Sequence, residues 1–303
     1  MAISPSSNAA ERIWHYAYLA ICALVFIFLI APILLVVPLS FNAEPYFTIT
    51  ERMLTFDPAG YSLRWYDTLL TQGMQRPDAA RDWAWWLDAW RHSAWILAAK
   101  NSLIIGFFST ALATVLGTVA ALGMSRPEMP YRRAIMAMLI SPMIVPIIIT
   151  ATGLFFFYSK VGLANSYLGI ILAHATLGIP FVIITVTATL SGFDHSLTRA
   201  GASLGASPTT VFRRITVPLI LPGIIAGALF AFVTSFDEVV VVLFVAAHDQ
   251  QTIPRQMWNG IREQISPAIL AMATILVFFS ISLLTAIELL RRRSERLRGV
   301  SRG

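Results

Sequence analysis

Two adjacent acidic residues, Asp237 and Glu238, interrupt the apolar stretch SFDEVVVVLF. An ionised side chain near the centre of a membrane helix costs roughly 2.5 kcal/mol or more, so it usually faces protein or a watered cavity. Together with Phe236, the two carboxylates could attract a cation or form a gate, or they could hold a neighbouring helix in register. Adjacent helical residues point about 100° apart, so we expect the two acids to have different roles.

A histidine, His174, lies in a second apolar stretch, ILAHATLGIP. A hydrogen bond to another helix and a part in a proton relay are both open interpretations of this residue. The histidines of the chain are scattered and have no metal-ligand spacing; they are His15, His92, His174, His195 and His248. No nucleophile–base motif is present either, so we predict neither a metal site nor a catalytic site.

The composition indicates the environment of these residues. Hydrophobic residues make up 57% of the chain and charged residues 13%, and the mean hydropathy is +0.71, whereas soluble proteins carry about 25% charged residues. We therefore predict an integral membrane protein. The single cysteine, Cys22, excludes an internal disulfide. Six of the 22 basic residues lie in the tail 291–303, directly after an apolar stretch, which favours a cytoplasmic membrane anchor over nucleic-acid binding.

Six apolar windows between charged residues are long enough to span a bilayer, which requires about 20 residues. They lie at residues 17–41, 102–124, 134–158, 166–190, 219–247 and 268–287. This pattern predicts an all-α six-helix membrane bundle, and the transmembrane domain as a whole covers residues 17–290. A terminal segment, 1–16, precedes the bundle, and a long loop, 42–100, follows the first span.

The basic residues predict how the spans are oriented, because Lys and Arg are enriched in the cytoplasmic segments near helix ends. With the N-terminus in the cytoplasm, the inside segments hold Arg12, the arginines of 126–133 and 199–214, and those of the tail. Most of the other basic residues fall in the long loop 42–100, to which the rule gives little weight. We therefore expect both termini, and the segment 194–218, to be cytoplasmic.

The segment 194–218 is polar and twice interrupted, and it includes the stretch LTRAGASLGASPTTVFRRITVP. Asp194 is expected to cap a short helix, which Gly205 ends by adopting a left-handed conformation. Ser207 and Pro208 are typical of the start of a second short helix, which Pro218 is expected to close. Neither helix is long enough to be stable alone. A loop lying on lipid headgroups would not require this break at Gly205.

No phosphate-binding loop of the form G-x-x-x-x-G-K-[ST] is present, and the only lysines are Lys100 and Lys160. Such a loop holds nucleotide phosphates with its backbone and its lysine, so this chain does not bind a nucleotide in that way. The predicted cytoplasmic loops are also too short to form an ATPase domain. If ATP supplies energy, a separate subunit must bind it.

The spacing of the polar segment resembles the EAA loop of ABC importer permeases, whose pattern is E-A-A, three residues, G, nine residues and I-x-L-P. The matching residues here are Ala200-Gly201, Gly205, Ile215 and Val217-Pro218. The stretches SFDEVVVVLF, TIPRQMWNGIREQISPAILAMATIL and NSLIIGFFSTALATVLGTVAALGMSR are similar to the polyamine-type branch, whose subunit is commonly paired with a second, related permease. This resemblance covers most of the chain from Lys100 onward.

The resemblance implies that the two short helices dock into a groove on a cytoplasmic ATPase subunit, whose closure on ATP moves the spans. The docking residues that it implies are Arg199, Ala200, Gly201, Leu204, Gly205, Ala206, Ser207 and Phe212. Arg199 stands where the family has an acidic residue, so the salt bridge that the family pattern implies at this position is not carried over to this chain. Gly201 stands where the family has alanine.

We therefore expect a non-enzymatic permease subunit in a bacterial inner membrane that forms half of a translocation path for a small solute, such as a polyamine or a related cation. The implied partners are a second permease, a cytoplasmic ABC ATPase dimer that binds ATP and Mg, an external solute-binding protein and membrane lipid, with no nucleic acid. The alternative is an ion-gradient-driven secondary transporter that uses Asp237, Glu238 or His174. A membrane-embedded enzyme is disfavoured because catalytic groups are not clustered.

The long loop contains a tryptophan-rich stretch, RPDAARDWAWWLDAWRHSAWIL, in which Asp78 could cap a helix. One face of this helix would carry Trp83, Leu87, Trp90 and Ala94, with Trp86 beside them. Helices of this kind settle at the membrane–water boundary. A contact with a binding protein or with a partner permease is the other open interpretation.

Overall fold

A computed structural model describes residues 8–297 except 127, 195, 264 and 265. The regular secondary structure of the described residues is helical, and their only β-type pairing is an isolated bridge between Asn42 and Tyr61. The helices are α1 (Ala9–Ser40), α2 (Glu51–Leu54), α3 (Arg64–Thr71), α4 (Trp83–His92), α5 (Ala94–Met124), α6 (Arg132–Ile140), α7 (Ile147–Val161), α8 (Tyr167–Ser191), α9 (Ser196–Ser203), α10 (Pro208–Val211), α11 (Val217–Phe236), α12 (Val240–Val245), α13 (Ile253–Glu263) and α14 (Ala268–Leu297). Short 3-10 turns lie at Pro58–Gly60, Ser141–Met143 and His248–Gln250, and a π-turn lies at Phe212–Thr216.

The described residues divide into two compact units, one formed by 8–72 with 260–297 and the other by 73–259. In the first unit, α1 begins with a capping box, in which Asn8 Oδ1 accepts a hydrogen bond from the Glu11 N–H at 2.9 Å and Glu11 Oε2 accepts one from the Asn8 N–H at 3.1 Å. Helix α1 contacts α14. The remaining residues of the predicted terminal segments, 1–7 and 298–303, lie outside the described part of the chain.

In the second unit, α8 and α11 approach closely because two glycines of α11 face α8. A Cβ atom on Gly227 would lie 2.7 Å from Cα of Val182, and one on Gly223 would lie 2.9 Å from Cβ of Thr189. These distances leave no room for a larger side chain unless the backbone shifts. Residue numbers rise along α8 as they fall along α11, so the two helices are antiparallel.

Helix α5 also packs on α8 through small residues. A Cβ atom on Gly178 would lie 3.2 Å from Cβ of Ala113, and one on Gly117 would lie 2.7 Å from Cβ of Val182. Here the residue numbers rise together, so α5 and α8 are parallel. The first turns of α5 and α8 therefore lie at one end of this unit, and the segment 194–218 between α8 and α11 lies at the other end.

Four helices of the described chain are long and apolar enough to cross a membrane: Ala9–Ser40, Ala94–Met124, Tyr167–Ser191 and Pro208–Phe236. The pair Arg132–Met143 and Ile147–Val161 passes the same test only as a broken span that bends by 94°. A shorter apolar helix covers Ala268–Ser282. The window 134–158 is therefore not one straight helix, because Pro142 and Pro146 remove backbone donors where the chain bends.

The predicted fifth span, 219–247, is also interrupted. Helix α11 ends at Phe236, and the separate helix α12 begins at Val240. The intervening residues include both acids of the SFDE stretch, which compete with regular helix formation because their side chains can bond to the nearby backbone. The carboxylates therefore lie at a helix break rather than inside a continuous helix.

Candidate functional site

The segment 194–218, which we call the elbow, begins with the predicted cap. Asp194 Oδ1 accepts a hydrogen bond from the Ser196 N–H at 2.8 Å, and Asp194 Oδ2 accepts one from Ser196 Oγ at 2.7 Å. Helix α9 is followed by Gly205, whose φ of +84° is the expected left-handed conformation. Ser207 caps α10 by accepting a hydrogen bond from the Thr210 N–H at 3.3 Å. The break between the two helices is thus confirmed.

The prediction that Pro218 closes the second helix is wrong. From Pro208 the chain continues as α10, a π-turn at Phe212–Thr216 and α11, without a break as far as Phe236. In the π-turn the Val217 N–H bonds to the Phe212 carbonyl. Pro218 has no N–H to donate, and the wider π-turn next to it accommodates that loss without ending the helix. The second part of the elbow is therefore the beginning of a continuous helix that ends at Phe236.

Gly201 holds the two parts of the elbow together. It is buried in α9, and a Cβ atom at this position would lie 2.8 Å from Cδ1 of Ile215 and 3.3 Å from Cγ2 of Val211. The space is smaller than an alanine needs unless the Ile215 side chain moves. Glycine is therefore accommodated here without any movement of Ile215, and Gly201 lies inside the elbow.

Most of the other implied docking residues lie on the elbow surface. Leu204 is 87% exposed and Phe212 is 42% exposed. Arg199, Ala200, Gly205 and Ser207 are also exposed, and Ala206 is half-buried. The elbow therefore presents an apolar projection, Leu204, at the bend between α9 and α10.

The two acids of the helix break have different environments. Asp237 is exposed, whereas Glu238 is 8% exposed. Glu238 Oε1 accepts a hydrogen bond from the Val241 N–H at 2.9 Å, in the first turn of α12. A carboxylate at a helix N-terminus is stabilised by the helix dipole. Phe236 is half-buried and stacks on Phe232 at a centroid distance of 5.6 Å.

Arg255, which the sequence reasoning missed, binds the other end of α12. Its Nη1 donates hydrogen bonds to the carbonyls of Val242 at 2.9 Å and Ala246 at 3.1 Å. No local pattern marks this residue, because its partners lie 13 and 9 residues earlier. The one signal in the sequence was a positive charge shortly after a long apolar run.

His174 is part of a buried polar cluster that joins three helices. Its Nδ1 lies 2.8 Å from Ser235 Oγ of α11, and Ser109 Oγ of α5 donates to Ser235 Oγ at 2.9 Å. His174 is 1% exposed, and its Nε2 has no hydrogen-bond partner among the described residues. This geometry favours an interhelical hydrogen bond over a relay, which requires a partner on each side of the ring.

A second network closes the end of this unit opposite the elbow. Asn101 Nδ2 donates to the carbonyls of Asp249 and Gln251, both at 2.9 Å. Asn101 Oδ1 accepts a hydrogen bond from Tyr167 OH at 2.7 Å. The loop after α12 is thereby fixed to the N-terminal parts of α5 and α8, so the elbow and this network mark opposite ends of the three-helix core.

Within the described residues, no three His, Cys, Asp or Glu side chains come together as a metal site would require; His195 lies outside those residues.

A sequence profile of the family described as "Binding-protein-dependent transport system inner membrane component" matches residues 113–296. The spermidine/putrescine transport system permease protein PotC of Haemophilus influenzae is 30% identical over 89% of this chain and 95% of its own length. The putrescine transport system permease protein PotI of Escherichia coli K12 is 31% identical over 86% of this chain and 85% of its own length.

The fold comparison agrees with these matches. A solved chain from a bacterial ABC transporter involved in the import of the acidic polysaccharide alginate superposes with a TM-score of 0.65. The match covers 95% of this chain and 99% of that chain at 14% identity, which supports the fold alone. The relatives are transport subunits, so neither the secondary transporter nor the membrane enzyme is supported. With its elbow, its helical membrane architecture and a profile match over more than half of its length, this chain belongs to the inner membrane permease family of binding-protein-dependent ABC import systems.

Proposed function

We propose that this chain forms half of the path by which a polyamine or a related organic cation enters the cell. The names of the relatives support this solute class, since they include permeases for spermidine and putrescine. The exposed carboxylate of Asp237 next to Phe236 suits an amine-bearing cation, because a negative charge raises the local concentration of cations. The Glu238 carboxylate accepts a hydrogen bond from the first turn of α12. It therefore stabilises the start of this helix rather than binding the solute.

The observation that carries the proposed mechanism is the continuous helix from the elbow to the acidic break. It covers Pro208–Phe236, 29 residues, which corresponds to about 43 Å at 1.5 Å per residue. A rigid helix transmits a displacement of one end to the other. The π-turn at Phe212–Thr216 and Pro222 lie within this helix but do not end it, so movement of the elbow changes the position of Phe236 and Asp237.

The driving movement comes from a cytoplasmic ABC ATPase dimer that binds ATP and Mg and receives the elbow in a groove. Leu204 and Phe212 supply apolar contacts, and Arg199 supplies a charge opposite in sign to the acidic residue of related loops. A second permease completes the path, an external binding protein delivers the solute, and lipid surrounds the spans. Both termini and the elbow are cytoplasmic, as the distribution of arginines favours.

The test uses the assembled transporter in proteoliposomes and the variant Gly205→Val. A β-branched residue is strongly disfavoured at a φ of +84°, so the elbow cannot keep its bend. The matched control is Gly162→Val, which has a φ of +76° and, like Gly205, has no atom within 4 Å of an added Cβ.

We expect Gly205→Val to abolish solute-dependent ATP hydrolysis and uptake, while Gly162→Val retains both. Equal losses in the two variants would mean that the elbow has no special role. Uptake driven by a proton gradient in vesicles that lack the ATPase would overturn the proposed mechanism as a whole.

A further inference from the structure

Helix α4 exposes a stripe of large apolar residues that the transport path does not use. Three tryptophans and a leucine recur at i, i+3, i+4 and i+7, and all are exposed, by 81%, 48%, 38% and 57% for Trp83, Trp86, Leu87 and Trp90. We call these four residues the tryptophan stripe. Exposed aromatic surface of this size is rare on a protein face that meets only water.

The opposite face of α4 is fixed to the protein. Trp85 is 2% exposed, and its Nε1 donates to the Pro77 carbonyl at 3.1 Å. The cap that positions this helix is Asp82, whose Oδ1 accepts a hydrogen bond from the Trp85 N–H at 2.8 Å, rather than the predicted Asp78. The orientation of the tryptophan stripe is therefore set by the fold.

Helix α4 is held at a defined level along α5. Lys100 Nζ of α5 donates to the Trp90 carbonyl at 2.6 Å and lies 4.6 Å from the centroid of the Trp90 ring. Ser93 directly follows α4 and caps α5 by accepting a hydrogen bond from the Ile96 N–H at 3.3 Å. The end of α4 is therefore fixed beside Lys100.

Lys100 is also the last charged residue before a long apolar part of α5. No charged residue occurs from Asn101 to Ser125. Leu103, Ile104 and Phe107 follow Lys100 at i+3, i+4 and i+7, so they share its face of the helix, and all three are exposed. The exposed apolar face of α5 thus begins one helical turn after Lys100, the residue that contacts Trp90.

We propose that α4 is an in-plane anchor, which inserts the tryptophan stripe into the headgroup region of the lipid bilayer at the end of the core opposite the elbow. Indole rings favour this region because they have an apolar body and a polar N–H. Arg91 and Lys100 lie beside the stripe and meet the lipid phosphates. The acid in this helix, Asp88, instead binds the Gln75 and Arg76 N–H groups, at 3.1 and 3.0 Å.

Lipid accounts for this surface better than a protein partner, because the stripe is continuous with the exposed apolar face of α5 and basic residues flank it. An anchor at this position keeps the first turns of α5 at a constant depth while the elbow moves at the other end. This assignment is independent of the solute and of the role of the elbow.

The test measures the depth of a nitroxide label in the assembled transporter in nanodiscs of phosphatidylcholine and phosphatidylglycerol. The native cysteine is removed by Cys22→Ser, and a label is attached at Trp86→Cys. The matched control is Ala84→Cys, which is exposed on the same helix but lies about 160° away from Trp86. Trp83→Cys provides a second position on the stripe if Trp86→Cys impairs assembly.

We expect the labels at Trp86 and Trp83 to collide with oxygen several-fold more often than with a water-soluble nickel chelate, and the label at Ala84 to show the reverse. Equal exposure to the chelate at Trp86 and Ala84 would place α4 in water and overturn the proposal. Protection of Trp86 from both reagents, found only after the binding protein is added, would instead identify a protein contact. Uptake is not the readout, so failure here leaves the transport proposal intact.

Discussion

Glu238 and Arg255 hold opposite ends of the same short helix, α12. The Glu238 carboxylate accepts the Val241 N–H at 2.9 Å in its first turn, and the Arg255 guanidinium donates to the carbonyls of Val242 and Ala246 at its end. Each charge has the sign that the helix dipole favours at that end. A helix of six residues is too short to be stable by itself, so these two side chains define where the chain continues after the acidic break.

The first prediction separates the two adjacent acids. Asp237→Asn is expected to raise the solute concentration for half-maximal ATPase stimulation about tenfold, since a hydrogen bond to a charged group contributes about 1.5 kcal/mol or more. Glu238→Ala is expected instead to destabilise the subunit by about 1 kcal/mol, because α12 loses its cap. ATPase titrations and thermal unfolding in detergent measure the two effects. The assignment fails if the two variants exchange phenotypes.

The second prediction concerns Leu204 at the tip of the elbow. Burying a leucine side chain contributes about 1.5 kcal/mol or more, so Leu204→Ser is expected to weaken binding of the ATPase about tenfold. Leu63→Ser, at another exposed leucine, is the control and should leave the affinity unchanged. Titration of the purified ATPase onto the permease in nanodiscs gives both values, and unchanged affinity in the Leu204 variant would contradict the docking role.

The third prediction tests the close approach of α11 to α8. Gly227→Ala places a Cβ 2.7 Å from the Val182 backbone and is expected to destabilise the subunit by at least about 1 kcal/mol, in the range of overpacked cores. Gly153→Ala, in α7, has no atom within 4 Å of its Cβ and is expected to stabilise the helix by roughly 0.5–1 kcal/mol. Opposite shifts of the melting temperature would support the packing, and equal shifts would argue against it.

The fourth prediction concerns the pH dependence of the contact between α4 and the segment before it. Desolvation raises the pKa of Asp88, but hydrogen bonds from the Arg76 and Gln75 N–H groups and the contact with His92 lower it more, so its pKa lies below the ordinary carboxyl value. A carboxylate with a depressed pKa in the folded state stabilises that state above the unfolded value of about 3.9. This contribution is lost as the pH falls through the lower pKa of the folded state.

Asp88→Asn is therefore expected to increase amide hydrogen exchange in residues 73–80 at neutral pH, as acid does in the native chain below about pH 3.9. Asp78→Asn, a change of the same kind at an exposed residue of the same segment, is the control. Identical exchange in the Asp88 variant and the native chain would show that this carboxylate does not hold the segment.

Local features of the elbow were predictable because their partners are close in the chain. Asp194, Gly205 and Ser207 act on residues no more than three positions away, so their effects can be read from the order of residue types. The same local reasoning failed at Pro218, because the π-turn next to this proline accommodates its missing N–H and keeps the chain helical.

The partners of the buried polar residues were beyond such reasoning. His174 meets Ser235 across 61 positions of the chain, and Ser235 meets Ser109 across 126. These contacts depend on the close packing that Gly223 and Gly227 permit between α8 and α11. No pattern within one helix specifies which face of another helix it will meet.

The sequence by itself determined the membrane environment, the bend at Gly205 and the absence of a phosphate-binding loop of the form G-x-x-x-x-G-K-[ST], since these follow from composition and from neighbouring residues. Only the tertiary structure decided that Glu238 is buried while Asp237 is exposed, and that Arg255 holds the far end of α12. Those roles depend on packing between segments that are distant in the chain, because burial and hydrogen bonding, rather than residue type, set what a charged group does.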